Sequence, residues 1–286
     1  MSVPSVKETP NVPPKVPMTL DLAYRFAGAA VRARYFDQRP GTHRALERLR
    51  ASDVAVYSGN FDHVQELLTA LSVPFTLDPK SLDAKVVFVN CASQYDPAFL
   101  KRLAAHVRAG ARLVTSDWAL SRVLQTHFPG TVAAGKGRSG DEVVAVEPAA
   151  DSLWADVVVP GTDPQWWLES SSEPLQVLDE SRVRVEARSH ELLGKYGEPA
   201  VAVSFPWGDG DVFHVVSHFR VKRTRQHGRR HAERGTAFLR EGLRLPESTI
   251  AELFATHRLE PDALDFATMQ STATSVELCA RLAAGD

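Results

Sequence analysis

Gly110-Ala111-Arg112-Leu113-Val114-Thr115-Ser116-Asp117-Trp118-Ala119-Leu120-Ser121 carries the topology of this chain in one short run. Residues 112–115 read as an apolar strand, Ser116 and Asp117 interrupt it, and Trp118 to His127 read as a helix stopped by Pro129-Gly130. A strand that enters a helix through so tight a turn is the repeating unit of a parallel sheet. Working outward, the same unit recurs. Val86-Val87-Phe88-Val89 is apolar on both faces, as a strand covered by helices on both sides must be. Asp96 and Pro97 then open a helix as N-cap and first residue, and it ends near Gly110. Further back, Asp53 to Tyr57 form a strand closed by Ser58-Gly59-Asn60, and a helix from about Asp62 carries Val64, Leu67, Leu68 and Leu71 on one face. Pro74 to Leu77 form another short strand. Residues 19–50 read as helix, broken at Arg39-Pro40-Gly41.

After Glu142 the pattern turns to strands, at Val143–Val146, Leu175–Leu178, Val183–Ala187, Ala200–Ser204 and Val212–Val216, with loops at Gly161–Pro164 and Pro206–Gly210. A basic stretch and short helices follow His218. In the C-terminal segment Ile250, Leu253, Phe254 and His257, then Cys279 and Leu282, recur at helical spacing, so these faces bury against the main domain or another chain. The expected fold is α/β: a flavodoxin-like, doubly wound, mainly parallel sheet with helices on both faces, plus a C-terminal helical extension. The expected division is a disordered Pro-rich tail over 1–18, the α/β domain over 19–219, and the basic segment with its helical extension over 220–286.

Bulk composition is that of an ordinary globular protein, with 44% hydrophobic and 24% charged residues and a formal net charge of −2. That balance gives no overall attraction to nucleic acid or to an anionic membrane. No run approaches the ~18 apolar residues of a membrane span, and the N-terminus lacks the apolar core of a signal peptide. Two cysteines, Cys91 and Cys279, form neither a disulfide framework nor a metal-type spacing. The expected location is cytoplasmic. The one hint of a nucleic-acid contact is the run 220–234, with seven Lys/Arg against Glu233. It contains no aromatic residue on which single-stranded bases could stack, so a solvated or partner-facing basic segment is expected.

In open α/β sheets ligands bind beyond the carboxyl ends of the parallel strands. Four such ends are legible, and together they nominate a pocket of Gly59, Asn60, Asp62, His63, Cys91, Ser93, Ser116, Asp117, Trp118 and His218. A His, an Asp and a Cys converge there if the strand order is 2-1-3-4-5 with the last strand alongside. The catalytic candidates are Asp117, His218 and Cys91. Asp117 and His218 suit an acid–base pair, or a metal site completed by His63 or Asp62; equally, Asp117 caps the helix at Trp118 while His218 hydrogen-bonds it. A Cys91–His218 hydrolase pair is a further alternative, set against Cys91 as an inert small hydrophobe at a strand end. His214 and His218 share a strand face but lie ~13 Å apart by strand rise, too far to chelate one ion. His227 and His231 are spaced as helix ligands, but the intervening Arg229 and Arg230 would repel a cation, which favours a solvated basic helix. Trp166 and Trp167 point to opposite faces if their segment is extended. No metal ligand and no cofactor is assigned.

The run from Gly110 to Ser121 resembles the strand, sharp turn and helix of the nucleophile elbow in class I glutamine amidotransferases. Leu193-Gly194-Lys195-Tyr196-Gly197, followed by Gly208 to Phe219, is similar to the late strand of that fold, closest to the ThuA-like branch, where a glycine-led strand ends in Ser/Gly-His. The resemblance spans Asp53 to Phe219. It implies that Asp117 stands at the position of the catalytic cysteine, that His218 stands at the position of the catalytic histidine, and that the acid expected two residues later is replaced by Arg220. The glycine-rich oxyanion loop reads Asn90-Cys91-Ala92-Ser93 instead. A carboxylate cannot perform thiolate attack on a glutamine amide, so glutaminase activity is not expected. What remains is a non-catalytic relative, a pseudoenzyme acting as a binding or scaffold protein for protein partners, or a ThuA-like hydrolase using Asp117 and His218, with or without a metal, on a small polar or sugar-like substrate.

Overall fold

The computed structural model describes residues 18–155, 157 and 163–285. The Pro-rich tail through residue 17, with Gly161 and Thr162 of the Gly161–Pro164 loop, lies outside the described residues. Helices α1 (Leu20–Gln38) and α2 (Pro40–Arg48) precede strand β1 (Val54–Tyr57), helix α3 (Val64–Ala70), and strands β2 (Thr76–Leu77) and β3 (Val86–Val89). Next come α4 (Pro97–Arg108), β4 (Arg112–Ser116), a π-helical turn at Leu120–Leu124 and a short α5 (Gln125–His127). Strands β5 (Val132–Ala134), β6 (Glu142–Ala145), β7 (Glu147–Pro148), β8 (Gln165–Leu168), β9 (Leu175–Val177) and β10 (Arg184–Arg188) follow. Helix α6 (His190–Tyr196), strands β11 (Ala200–Trp207) and β12 (Gly210–Val215), and helices α7 (Gly235–Glu241), α8 (Glu247–His257) and α9 (Phe266–Ala284) complete the chain.

The main sheet runs β2-β1-β3-β4-β12-β11-β10-β7. It is parallel from β2 through β12, and β11, β10 and β7 extend it antiparallel. The expected order with the last parallel strand alongside β4 is therefore present. The strands form where they do because β1, β3 and β4 are apolar on both faces and buried on both. The helix starts have their own local chemistry. Asp96 accepts from the N–H groups of Ala98 and Phe99, with Pro97 at the first position, and Asp265 accepts from Thr268. A small second sheet, β6 with β8, stands apart from the main one.

Helix α9 is buried nearly all round, the pattern of a core helix and not of a surface one. The Arg34 guanidinium of α1 meets both carboxylate oxygens of Glu277 in α9 at 2.6 Å, with both side chains buried. The C-terminal extension thus closes over α1 and forms part of the core. No described helix is long and apolar enough to cross a membrane.

Three local expectations need correction. Leu193–Gly197, read with the late strand, lies in α6, which Ser189 caps at its start and Gly197 ends at φ +78°, a left-handed pose that glycine adopts without steric cost. Trp118–His127, read as one regular helix, contains the π-helical turn. His231, expected on a solvated basic helix, is buried in a 3-10 turn and stacks between Trp167 and Phe266. The Trp166–Trp167 expectation holds: on β8 the Trp166 indole donates to the Val216 carbonyl within the main core, and Trp167 packs in a separate cluster with Val143, Val221 and Ala267.

Much of the basic run is paired within the chain. Arg220 meets Asp21 and Glu66, Arg223 and Arg225 meet Asp141, and Arg230 meets Glu241. These acids compete with any phosphate backbone for the same cations.

Candidate active site

Strand β4 delivers Asp117 in a left-handed conformation, φ +48°. For a residue with a Cβ this costs about 1–2 kcal/mol, and the turn is held by its surroundings. The Asp117 N–H donates to the Val215 carbonyl at 3.0 Å, and its carbonyl accepts from Leu120 at 2.9 Å. Two residues beyond the neighbouring strand β12 stands a second left-handed residue, Ser217 at φ +66°, and His218 follows it. Two adjacent parallel strands therefore turn sharply at the same edge, which brings the carboxylate of one against the imidazole of the other. His218 Nε2 lies 3.1 Å from Asp117 Oδ2.

The other ring nitrogen has a partner that nothing in the local sequence announces. His218 Nδ1 is 2.7 Å from Glu169 Oε2, a residue directly after β8 and 49 positions earlier in the chain. Glu169 itself accepts from the Lys222 N–H at 2.5 Å and donates its own N–H to Ser217 Oγ at 2.8 Å. The loop that begins with Glu169 is clamped over the elbow. Ser171 accepts from the Trp118 indole at 2.8 Å, the Glu173 N–H donates to Asp117 Oδ1 at 3.2 Å, and the buried Glu173 carboxylate accepts from Ser121 and pairs with Arg138. An orienting acid is thus present. It comes from the small sheet and not from position 220, whose Arg220 points to Asp21 and Glu66.

Cys91 also reaches this cluster, from the turn after β3. Its thiol donates to Asp117 Oδ2 at 3.7 Å, and the side chain is fully buried. The thiol stands beside the imidazole but lies behind Asp117 and His218, outside the lining of the cleft.

Burial is the largest single influence on each group, and the close polar and charged neighbours then decide the outcome. For His218, burial alone would lower the pKa, but contacts with Asp117, Cys91 and Glu169 outweigh it and hold the ring protonated well above the usual imidazole range. For Glu169, burial raises the pKa, while His218 and the Lys222 N–H bring it below the ordinary value. For Cys91, burial raises the pKa and the Asp117 charge adds to it, against a smaller lowering by His218. The resting site is a buried imidazolium between two carboxylates, next to a neutral thiol. Replacing Glu169 with Gln removes one of the two carboxylates, so the His218 pKa is expected to fall. Proton–nitrogen NMR titration of the ring in wild type and Glu169→Gln measures this directly, and an unchanged midpoint would show that Glu169 does not orient the imidazole.

The remaining nominated residues surround this centre. Asp62 is fully buried and accepts from Ser116 Oγ at 2.6 Å and from the N–H groups of His63, Phe219 and Arg220. It thereby ties the ends of β1, β4 and β12 together, with no free oxygen lobe turned to the cluster. Asn60 accepts from the Ser93 backbone and hydroxyl, both at 3.2 Å. His63 begins α3, where Asn90 Oδ1 caps the Val64 N–H at 3.1 Å. Gly59 is where the β1 turn passes the Cys91 turn: a Cβ there would lie 2.2 Å from the Cys91 carbonyl.

Asp117, Trp118 and His218 open onto a cavity of about 310 Å³. Its walls include Phe61, Trp118 and Trp167, and its rim carries Lys222, Arg223 and Arg225 opposite Asp141 and Glu142. The size suits a small molecule, and apolar walls with a few convergent polar groups are the usual make-up of such sites. The other nominated residues, from Gly59 through Ser116, stand behind this lining. Phe61, Glu169 and Trp167 belong to it without having been nominated.

No protein-family model matches the chain, and no curated protein matches it. Among solved structures, a ThuA-like protein from Bacteroides uniformis is similar at 12% identity over 59% of this chain and 84% of that one, TM-score 0.44. The cold-adapted β-galactosidase from Rahnella sp. R3 is similar at 13% identity over 58% of this chain and 28% of its own length, TM-score 0.43. A cytoplasmic protein from Salmonella typhimurium is similar at 14% identity, over 61% of this chain and 91% of that one, TM-score 0.40. The chain thus spans less than a third of the β-galactosidase it matches. These likenesses are distant ones of architecture; the α/β fold stands on the strand order and register.

Proposed function

We propose that this chain is a hydrolase of small polar substrates, with Asp117 and His218 as its acid–base pair. The observation that carries the reading is His218, held between two carboxylates at the edge of a small-molecule cavity. Nucleophile or base, imidazole and orienting acid stand in the relation that hydrolytic sites require, with each pair in hydrogen-bond reach. In the cycle that follows, a substrate oxygen leaves with the proton of the His218 imidazolium, while Asp117 takes a proton from the attacking water. Water is consumed, two hydroxyl products form, and transfer of that proton from Asp117 to His218 across 3.1 Å restores the starting state. The aromatic walls and charged rim favour a polar, sugar-like or anionic substrate over an apolar one.

The experiment is turnover of a panel of chromogenic glycosides and carboxylic esters by wild type, Asp117→Asn and His218→Gln. Either substitution is expected to lower kcat by about a hundredfold to ten-thousandfold. Turnover that survives both substitutions would remove the pair from the mechanism.

One observation favours a second reading, a non-catalytic binding protein. Both Asp117 oxygens are already engaged, Oδ1 by Glu173 and Oδ2 by Cys91 and His218. On that reading no substrate in the panel turns over, and a protein partner captured from the native host is retained equally by wild type and Asp117→Ala.

A further inference from the structure

Cys91, Asp117 and His218 each present one ligand atom, and these three atoms lie within 4.8 Å of one another. The three residues come from the ends of three different strands, so it is the strand order and not a local spacing that groups them. Two of the separations can be compared with metal geometry. Around a tetrahedral zinc with ordinary bond lengths, a thiolate sulfur and a carboxylate oxygen stand about 3.5 Å apart, and an imidazole nitrogen and a carboxylate oxygen about 3.3 Å. The corresponding distances here are 3.7 Å from Cys91 Sγ to Asp117 Oδ2 and 3.1 Å from His218 Nε2 to the same oxygen.

The second observation concerns the direction of His218. Its side chain is about 95% buried, and although Nε2 is 3.1 Å from Asp117 Oδ2, it makes no aligned hydrogen bond. The close approach is an ion-pair distance, with the ring nitrogen directed off the oxygen. Meanwhile Nδ1 is committed to Glu169 at 2.7 Å. A histidine whose outer nitrogen is held by a carboxylate, leaving the inner one for an ion, is the usual second layer of a zinc site.

We propose that Cys91 Sγ, Asp117 Oδ2 and His218 Nε2 form a three-ligand site for a divalent transition-metal ion, zinc by preference, with Glu169 as the positioning residue. The mixed sulfur, nitrogen and oxygen donors select zinc over magnesium or calcium, which take oxygen ligands. Three protein ligands leave one coordination position, and Asp117 and His218 both line the 310 Å³ cavity, so that position faces the ligand space. Binding releases the thiol proton and the Nε2 proton as the ion enters, two positive charges for two. The buried cluster keeps its net charge.

The inference does not depend on the acid–base reading and describes a different state of the same site, because an ion on Nε2 takes the place of the proton that the acid–base cycle moves; metal binding is measured without turnover. The test uses the full chain, stripped with a strong chelator and then titrated with zinc or cobalt alone. Expected are one equivalent of tightly held zinc by elemental analysis and, with cobalt, intense visible bands of a tetrahedral ion with a near-ultraviolet thiolate charge-transfer band. Cys91→Ser should abolish the charge-transfer band, Cys279→Ser should retain it, and Glu169→Gln should weaken zinc binding by about ten- to a hundredfold. Cys91→Ser is nearly isosteric, and its thermal melt confirms folding. Absence of the band in wild type, or zinc affinity unchanged in both folded Cys91→Ser and His218→Gln, would overturn the proposal. If zinc binds as described while Asp117→Asn and His218→Gln leave hydrolysis intact, the metal site stands and the hydrolase assignment of these residues falls.

Discussion

Replacing Arg34 with Met is expected to lower the unfolding free energy by about 3–5 kcal/mol at pH 8. The Arg34–Glu277 pair joins α1 to α9 in the interior, with both carboxylate oxygens at 2.6 Å from the guanidinium. Removing the cation leaves a buried carboxylate uncompensated, and that cost exceeds what the pair itself contributes. The loss must depend on pH. Burial already pushes Glu277 up to about 7, against the lowering by Arg34, and without Arg34 it rises further. A carboxyl whose folded value lies above its unfolded one keeps its proton in the folded state, so stability is highest below the unfolded value and falls as pH rises through the folded one. Arg34→Met should therefore be milder at pH 6 than at pH 8. The double variant Arg34→Met/Glu277→Leu should recover most of the loss, because an apolar pair of similar volume carries no desolvation cost. Urea unfolding of the three proteins at the two pH values tests this. Equal losses in Arg34→Met at both would show that Glu277 is not charged in the way described.

This pair also marks what a sequence reading cannot reach. The helical spacing of Ile250, Leu253, Phe254 and Cys279 announces faces that must be covered, but not by what. The answer lies in a contact between residues 243 positions apart, and no local pattern encodes it. The sheet was legible for the opposite reason. β1, β3, β4 and β12 each carry buried apolar residues followed closely by polar turn residues, so these strands and their convergent ends can be read from neighbouring residues alone.

The site divides along the same line. Asp117 directly follows β4 and His218 stands three residues past the end of β12, and the strand order brings them together. Glu169 does not follow such a strand of the main sheet. It leaves β8, part of the separate small sheet, and its role depends on that sheet folding back over the elbow. The only trace in the sequence is an acid directly after Gln165-Trp166-Trp167-Leu168, a run whose four residues are all buried. Asp62 shows the converse. A carboxylate at a strand end looks like a ligand, yet four donors surround it, and its work is to hold three turns together. Residue type and position nominate candidates; the count of donors already satisfied tells scaffold from chemistry.

Acidification should expose a second buried group, His214, whose effect on stability is expected to reach about 3 kcal/mol between pH 7 and pH 4. His214 lies on β12 between Thr115 of β4 and Val203 of β11. It is completely buried, its Nδ1 shares a 2.8 Å hydrogen bond with Thr115 Oγ1, and its Nε2 has no hydrogen-bond partner among the described residues. Burial alone takes its pKa from the ordinary 6.5 down to about 3. A histidine depressed in the folded state contributes stability that is complete above 6.5. As pH falls from there the unfolded chain takes up the proton first, and the contribution drains away until the folded protein also protonates near 3. Other groups titrate in this range, among them Glu277 at about 7, so the decisive quantity is a difference. His214→Asn, whose amide falls where Nδ1 stands, keeps a partner for Thr115 but has no proton to gain. Wild type should lose about 3 kcal/mol more than the variant between pH 7 and pH 4, measured by urea unfolding at each pH. Parallel pH profiles for the two proteins would mean that His214 reaches water or a counter-charge, and that the β4–β12 core is not the dry interior from which the whole site projects.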